Sequence, residues 1–467
     1  MSIYLRNYWA LYSEFITIFE SVKYRGIPLS MLTNFYQQLD ADSVRKMEEA
    51  EFLQELKYTS VRELAEIQPF FDALLAPLKS SVKSLPTGKI ALIPEYTRLP
   101  VDTFSFLNQK DNLIILSRLK KEIYPGGFTN VCLNEYVGDV KEQSDALIQQ
   151  AQKIFDEHNN HPILQSAFFR DTFLKRIPTI INEIELAFNL LSKVPVSIVI
   201  VGTTETITGR VFSLVGLMAG KPSITLQHGL LMGEEAFMPA FTSHLAVYGE
   251  YEKEWYLRRG LDENQIAVIG HPRYDSLQLN VKGVKPLDID CPTILLATGP
   301  RLAKEKIKAL IDLLCKHSKY NIILKPHPWE ISRKQLSFYY LYEEYEKKYK
   351  CVRLIKDSKE NIHDLIVNSD LIVASQSTVG LEGMLLDKPV FVYNFLDSNR
   401  DYEYYNDLGE NLEVNPEQLV KSIESYLQDE EKRKEYVTVR ENFLEKRYSI
   451  ENSTKELYKL IEKLTGL

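Results

Sequence analysis

The chain has 467 residues, of which 45% are hydrophobic, 26% charged and 11% aromatic, enough apolar material for two or three cored domains and too much for an extensively disordered chain. Sixty-four acidic against 56 basic side chains give a net charge of −8, which argues against nucleic acid as a bulk electrostatic partner. No basic head precedes an apolar stretch at the N-terminus, and no run approaches the ~18 apolar residues of a membrane span. The sequence therefore predicts a cytoplasmic protein, associated at most peripherally with the inner face of a membrane.

Residues 1–85 read as a helical segment. Leucines and aromatics recur at three- and four-residue spacing through EFLQELKYTSVRELAEIQPFFDALLAPLK, and Ser60 followed by Glu63 reads as a capping box. Nothing in this stretch carries chemistry, so it reads as structural or partner-binding. From Lys89 the pattern changes. KIALIP (89–94) and NLIIL (112–116) read as buried strands, followed by helices near 143–158 and 170–194. VSIVIVG (196–202), a helix near 208–219 and SITLQHG (223–229) form a strand–helix–strand unit, continued by HLAVYG (244–249) and IAVIGHPR (266–273). A Pro/Gly/Asp-rich stretch, 280–292, reads as a linker. Beyond it TILLATG (293–299), YNIILKPHP (320–328), CVRLI (351–355), LIVASQST (371–378) and PVFVYNF (389–395) restart the alternation.

The expected architecture is α/β: two Rossmann-like, doubly wound domains facing a cleft, preceded by the helical segment. The boundaries read as 1–85, 86–280, 291–430 and a C-terminal helical segment at 431–467. The four cysteines, Cys132, Cys291, Cys315 and Cys351, form no CxxC; their spacing supports neither a zinc site nor a disulfide scaffold and fits a reducing compartment.

Open parallel sheets bind ligands at the carboxyl ends of their strands, where helix N-termini present N–H groups. Ser375, Gln376, Ser377 and Thr378 end one strand and open a helix, so that Ser375, Ser377 and Thr378 are suited to a phosphate, or to plain N-capping. Glu382, inside that helix, is placed either to accept ribose hydroxyls or to face solvent. In KPHP (325–328) two prolines stiffen the turn, which holds His327 beside the Lys325 ammonium as phosphate donors. In QHG (227–229), Gly229 permits a turn and His228 suits a general base, although a strand-end histidine also serves as hydrogen-bonded scaffold. Arg273 in GHPR (270–273) and Arg301 are further candidates for an acceptor or phosphate contact. DID (288–290) formally matches a metal-binding DxD but sits in the linker. No GxGxxG follows the first strand, and no GxxxxGK[ST], HExxH or GxSxG appears.

Taken together, QHG, GHPRYD, KPHP, SQST and LEGMLLDKPV, spread over about residues 195–395, resemble bacterial glycosyltransferases of the GT-B fold. The similarity is to the CDP-glycerol glycerophosphotransferase family and to capsule polysaccharide transferases of the sialyl or Kdo type. It implies that His327, Ser377 and Thr378 contact the donor phosphate, that Glu382 holds the ribose, and that His228 serves the acceptor side. The acidic base motif of sialyltransferases is not matched by QHG, which leaves Glu234 and Glu235 as substitute bases. The implied reaction is metal-independent transfer of a nonulosonic or Kdo-type sugar, or of glycerol phosphate, from a CMP-sugar or CDP-glycerol. The acceptor would be a glycan, polymer or glycoprotein, and other assembly enzymes would be natural partners. The alternatives are an isomerase similar to UDP-N-acetylglucosamine 2-epimerase, or a catalytically silent partner in a polysaccharide-assembly complex.

Overall fold

The computed structural model of the protein describes residues 1–81, 87–120, 127–277, 291–300, 302–316, 319–396 and 402–466. The linker expected at 280–292, apart from its last two residues, and DID lie outside them, as does Arg301. The chain divides into two compact units. The first comprises Met1–His228, Glu234–Pro272 and Asn452–Leu467; the second comprises Gly229–Gly233 and Arg273–Glu451.

In the first unit, helix α1 (Ile3–Ile18) lays Tyr8, Trp9, Tyr12, Phe15 and Ile16 into a fully buried aromatic core. Tyr12 stacks on Phe35 at 4.5 Å, and Phe15 meets Phe169 and Phe173 edge-on at 5.2 and 5.1 Å. Edge-on and offset ring pairs satisfy the aromatic quadrupole, which is why so dense a cluster is stable. Arg210 penetrates this core, donating to the carbonyls of Thr204 at 2.6 Å, Met31 at 3.3 Å and Thr33, with its guanidinium 4.9 Å from the centre of the Phe241 ring. The N-terminal segment is thus built into the unit that it precedes. Its capping box lies three residues later than Ser60–Glu63, at Glu63–Glu66: the Glu66 carboxylate accepts from the N–H groups of Arg62 (2.7 Å) and Glu63 (3.1 Å), ahead of the helix Ile67–Leu75. The later box places the acidic side chain at the first turn that continues into a helix.

The first sheet consists, among the described residues, of β1 (Lys89–Ile93), β2 (Leu113–Ser117), β3 (Thr129–Cys132), β4 (Val196–Val201), β5 (Ser223–Leu226), β6 (His244–Val247) and β7 (Ile266–Val268). Their order is β3-β2-β1-β4-β5-β6-β7, all parallel. The second sheet consists of β8 (Thr293–Ala297), β9 (Asn321–Lys325), β10 (Val352–Leu354), β11 (Leu371–Ala374), β12 (Val390–Tyr393) and β13 (Leu412–Glu413), in the order β10-β9-β8-β11-β12-β13 and again all parallel. Each sheet therefore reverses its winding once, at β1/β4 and at β8/β11, and such reversals open a crevice at the strands' carboxyl ends. Fully buried strands such as Val196–Val201 explain the continuous apolar runs of the sequence. The helical tail expected at 431–467 is divided: the segment to Glu451 counts with the second unit, while Leu457, Leu460 and Ile461 of the last helix (Ser453–Thr465) join the core beneath the first sheet. Among the described residues no helix is long and apolar enough to cross a membrane.

Candidate functional site

In the second unit the strand register places Ala297, Lys325 and Ala374 in one row across β9-β8-β11. The turns that follow them carry the candidate donor residues. At the β8/β11 reversal a Cβ on Gly299 would lie 3.2 Å from Ser375 Oγ, so glycine allows the two loops to approach each other. Ser377 opens the helix Thr378–Leu385, but its side chain makes no capping bond to that helix. The plain capping reading thus fails for Ser377. The turn is held instead by Tyr405, whose hydroxyl donates to the Ser377 carbonyl (2.6 Å) and accepts from the Leu381 N–H (3.0 Å). Gly380 makes room for it, since a Cβ there would stand 2.6 Å from that hydroxyl.

After β9, His327 is exposed and caps the short helix Pro328–Ser332. Its Nδ1 accepts from the Trp329 N–H at 3.1 Å, which leaves the neutral ring protonated at Nε2 and makes that edge a donor. Its backbone N–H donates to Glu330 at 2.9 Å. Glu330 is itself buried and accepts from the hydroxyls of Thr298 (2.8 Å) and Tyr342 (3.1 Å), tying the β8 and β9 turns together. Burial raises its pKa despite these bonds. Lys325 is 7% exposed; burial pushes its pKa down, against the opposing pull of Glu360, Asp357 and Glu330. A cation so desolvated interacts more strongly with an arriving anion than a solvated one does.

Glu382 neither faces solvent nor stands open to a ribose. It is 5% exposed and is met by Tyr274 Oη at 3.3 Å, Arg273 at 3.7 Å and His363 Nε2 at 3.4 Å. Burial raises its pKa, but the hydrogen bonds from His363 and Thr378 and the charge of Arg273 bring it below the ordinary glutamate range. Arg273 is thereby placed with Glu382, over the Tyr274 ring at 4.4 Å.

In the first unit His228 follows β5. Its Nδ1 lies 3.0 Å from the Gly202 carbonyl, so the neutral ring is protonated at Nδ1 and carries its basic lone pair on Nε2. Gly202 ends β4 at the other winding reversal, where a Cβ would strike Tyr96 C and Thr97 N at 2.5 Å. The ring of Tyr96, a non-glycine residue at φ +63°, lies 5.3 Å from the imidazole, and Phe237 stacks on it at 5.8 Å. Glu234 and Glu235 are buried in this unit at 8% and 7% exposure. Glu234 pairs with Arg259, itself 3.5 Å from the centre of the Trp255 ring, and Glu235 accepts from Tyr4 at 3.0 Å. Both carboxylates are engaged in holding the chain around residues 234–237.

Sequence reading missed Glu330, His363, Tyr274, Tyr96 and Tyr405. Only Glu330 carries a local signal, the spacing of a capping box after His327. Among the described residues no group of three or more His, Cys, Asp or Glu side chains is arranged to hold a metal.

Residues 248–463 match the family described as CDP-Glycerol:Poly(glycerophosphate) glycerophosphotransferase, a little under half of the chain. Among solved structures, UDP-GlcNAc 2-epimerase from Methanocaldococcus jannaschii in complex with UDP-GlcNAc and UDP is 18% identical, with 80% of this chain and 99% of that chain covered and a TM-score of 0.50. Another UDP-N-acetylglucosamine 2-epimerase is 13% identical over 82% and 97% of the two chains, also at 0.50. The wall teichoic acid polymerase TagF is 16% identical over 80% and 88%, at 0.45. None of the curated proteins matches. At these identities the epimerases share the fold, a GT-B-like pair of parallel sheets.

Proposed function

We propose that this chain, a glycosyltransferase-type enzyme resembling the CDP-glycerol glycerophosphotransferase family, transfers glycerol phosphate from CDP-glycerol to a hydroxyl of a polymeric acceptor in surface polymer or glycoconjugate assembly. The observation that carries the reading is the family match over 248–463, which spans Lys325 at the end of one aligned strand and the turns that carry His327, Ser377 and Thr378. In this reading the second unit takes the donor. His327 donates from Nε2 to the diphosphate, Lys325 supplies charge from a desolvated position, and Ser377 with the start of its helix adds neutral donors. These groups stabilise the departing nucleotide without calling on a metal. The first unit takes the acceptor, with His228 Nε2 as the base. The acceptor oxygen forms a bond to the β-phosphorus, the bridging oxygen leaves with CMP, and the acceptor proton passes to His228. Glu234 and Glu235, buried against Arg259 and Tyr4, hold the neighbouring chain. Glu382 orders the helix beneath the phosphate-binding turn through His363 and Arg273.

The test is a thermal-shift panel on the full-length protein with CDP-glycerol, a CMP-sugar, CDP and UDP-GlcNAc, followed by a transfer assay with and without chelator. A ligand at 100 times its dissociation constant adds ~2.7 kcal/mol of stability. The reading expects CDP-glycerol and CDP to stabilise and transfer to survive chelation. Stabilisation by UDP-GlcNAc alone, with turnover in the absence of acceptor, refutes it in favour of an isomerase. Stabilisation by none refutes it in favour of a silent partner.

A further inference from the structure

We infer that Gln376 holds a vicinal pair of hydroxyl groups of the donor, an inference that rests on the donor site proposed above. Gln376 lies between Ser375 and Ser377, the second residue after β11, at the winding reversal of the second sheet. It is 7% exposed, yet neither its Oε1 nor its Nε2 has a hydrogen-bond partner in the protein. A buried carboxamide with both ends unmet is costly and uncommon, and calls for a group that arrives from outside the fold.

The two ends of the amide restrict that group to one that offers an acceptor and a donor side by side. A phosphate offers acceptors only: it would satisfy Nε2 and repel Oε1. A metal cation or an ammonium would do the reverse. An apolar group would meet neither. Two hydroxyls on adjacent carbons meet both, one oxygen accepting from Nε2–H while its neighbour donates to Oε1. CDP-glycerol carries this chemistry twice, in the ribose 2′,3′-diol and in the free 2,3-diol of its glycerol. Glu382, the residue first expected to take the ribose, is already met by Arg273, Tyr274, His363 and Thr378. A diol beside this turn therefore needs another receiver, and Gln376 is the unmet group at hand.

The experiment measures affinity for CDP-glycerol, CDP and 2′-deoxy-CDP by calorimetry, and ligand-free melting, on full-length wild type, Gln376→Met and Gln376→Glu. Methionine keeps the volume and removes the unmet atoms, so the ligand-free variant should melt no lower than wild type, while CDP-glycerol affinity falls about 10- to 100-fold. Loss confined to CDP-glycerol identifies the glycerol diol. Equal loss on CDP, matched by weak binding of 2′-deoxy-CDP to wild type, identifies the ribose. Gln376→Glu retains an acceptor but sets an anion beside the phosphate turn, and should bind all three ligands more weakly. Unchanged affinities in Gln376→Met overturn the inference alone, whatever its melting temperature. Loss on CDP with a wild type indifferent to the missing 2′-hydroxyl overturns it in favour of the base edge. A wild type that binds neither CDP-glycerol nor CDP overturns the proposed function, and the inference with it.

Discussion

His327 has two jobs that substitution can separate. Its Nδ1 caps the helix Pro328–Ser332 by accepting from the Trp329 N–H at 3.1 Å, and its Nε2–H is assigned to the donor diphosphate. His327→Ala removes both. The lost cap costs about 1 kcal/mol of stability, within the ~0.5–2 kcal/mol range for capping residues. The lost hydrogen bond to an anion is worth roughly 1.5–3 kcal/mol, which is about 10- to 150-fold in kcat/KM for CDP-glycerol. His327→Asn is the informative variant. Asparagine is a favoured capping residue whose Oδ1 can take the place of Nδ1, but its amide cannot reach to where Nε2 stood. Urea unfolding should therefore rank wild type and Asn together above Ala, whereas steady-state kinetics should rank Asn with Ala, both well below wild type. An Asn variant with wild-type kcat/KM refutes the phosphate role and leaves His327 as the cap of a strand-ending turn.

Two further outcomes follow from the geometry. His228→Ala should cut single-turnover transfer about 100-fold or more while nucleotide affinity stays within a few-fold; His228→Asn, which can still donate to the Gly202 carbonyl, should be equally slow, and rescue by Asn refutes the base assignment. Glu382 titrates below the ordinary glutamate value in the folded protein, so the unfolded chain binds the more protons there; its contribution to stability is complete above that value and is lost as pH falls through the folded pKa. Urea midpoints measured from about pH 6 down to about pH 3.5 should fall less steeply for Glu382→Gln than for wild type, and parallel curves refute the role of the His363–Glu382–Arg273 group in acid sensitivity.

Strand ends were the legible part of this fold. Runs such as VSIVIV and LIVA are continuous in apolar residues because both faces are covered, and each stops where Gly, Ser or Pro begins. In the two large sheets, the strands that escaped notice are those for which that physics does not hold. Thr129–Cys132 lies at a sheet edge and buries only its last residue fully, and Leu412–Glu413 is two residues long and half-buried. Strand order was illegible for a different reason: right-handed crossovers make neighbouring strands parallel but do not say on which side the next one is added.

The same division runs through the candidate site. His327, Ser377 and Thr378 could be placed at strand-end turns from sequence because a turn after a strand is a local feature, readable from adjacent residues. What a side chain there does depends on partners set by the tertiary fold, and those are distant in sequence. Tyr4 reaches Glu235 across 231 positions, and Tyr274 reaches Glu382 across 108. Each contact turns a carboxylate that read as a base or a ribose ligand into a buried group with a fixed partner. Gln376 is the converse. Nothing in SQST distinguishes it from its neighbours, and only the absence of a partner within a closely packed turn marks it. In a turn of this kind the residues that hold each other declare themselves by their bonds, and an unmet group such as Gln376 by the bonds it still lacks.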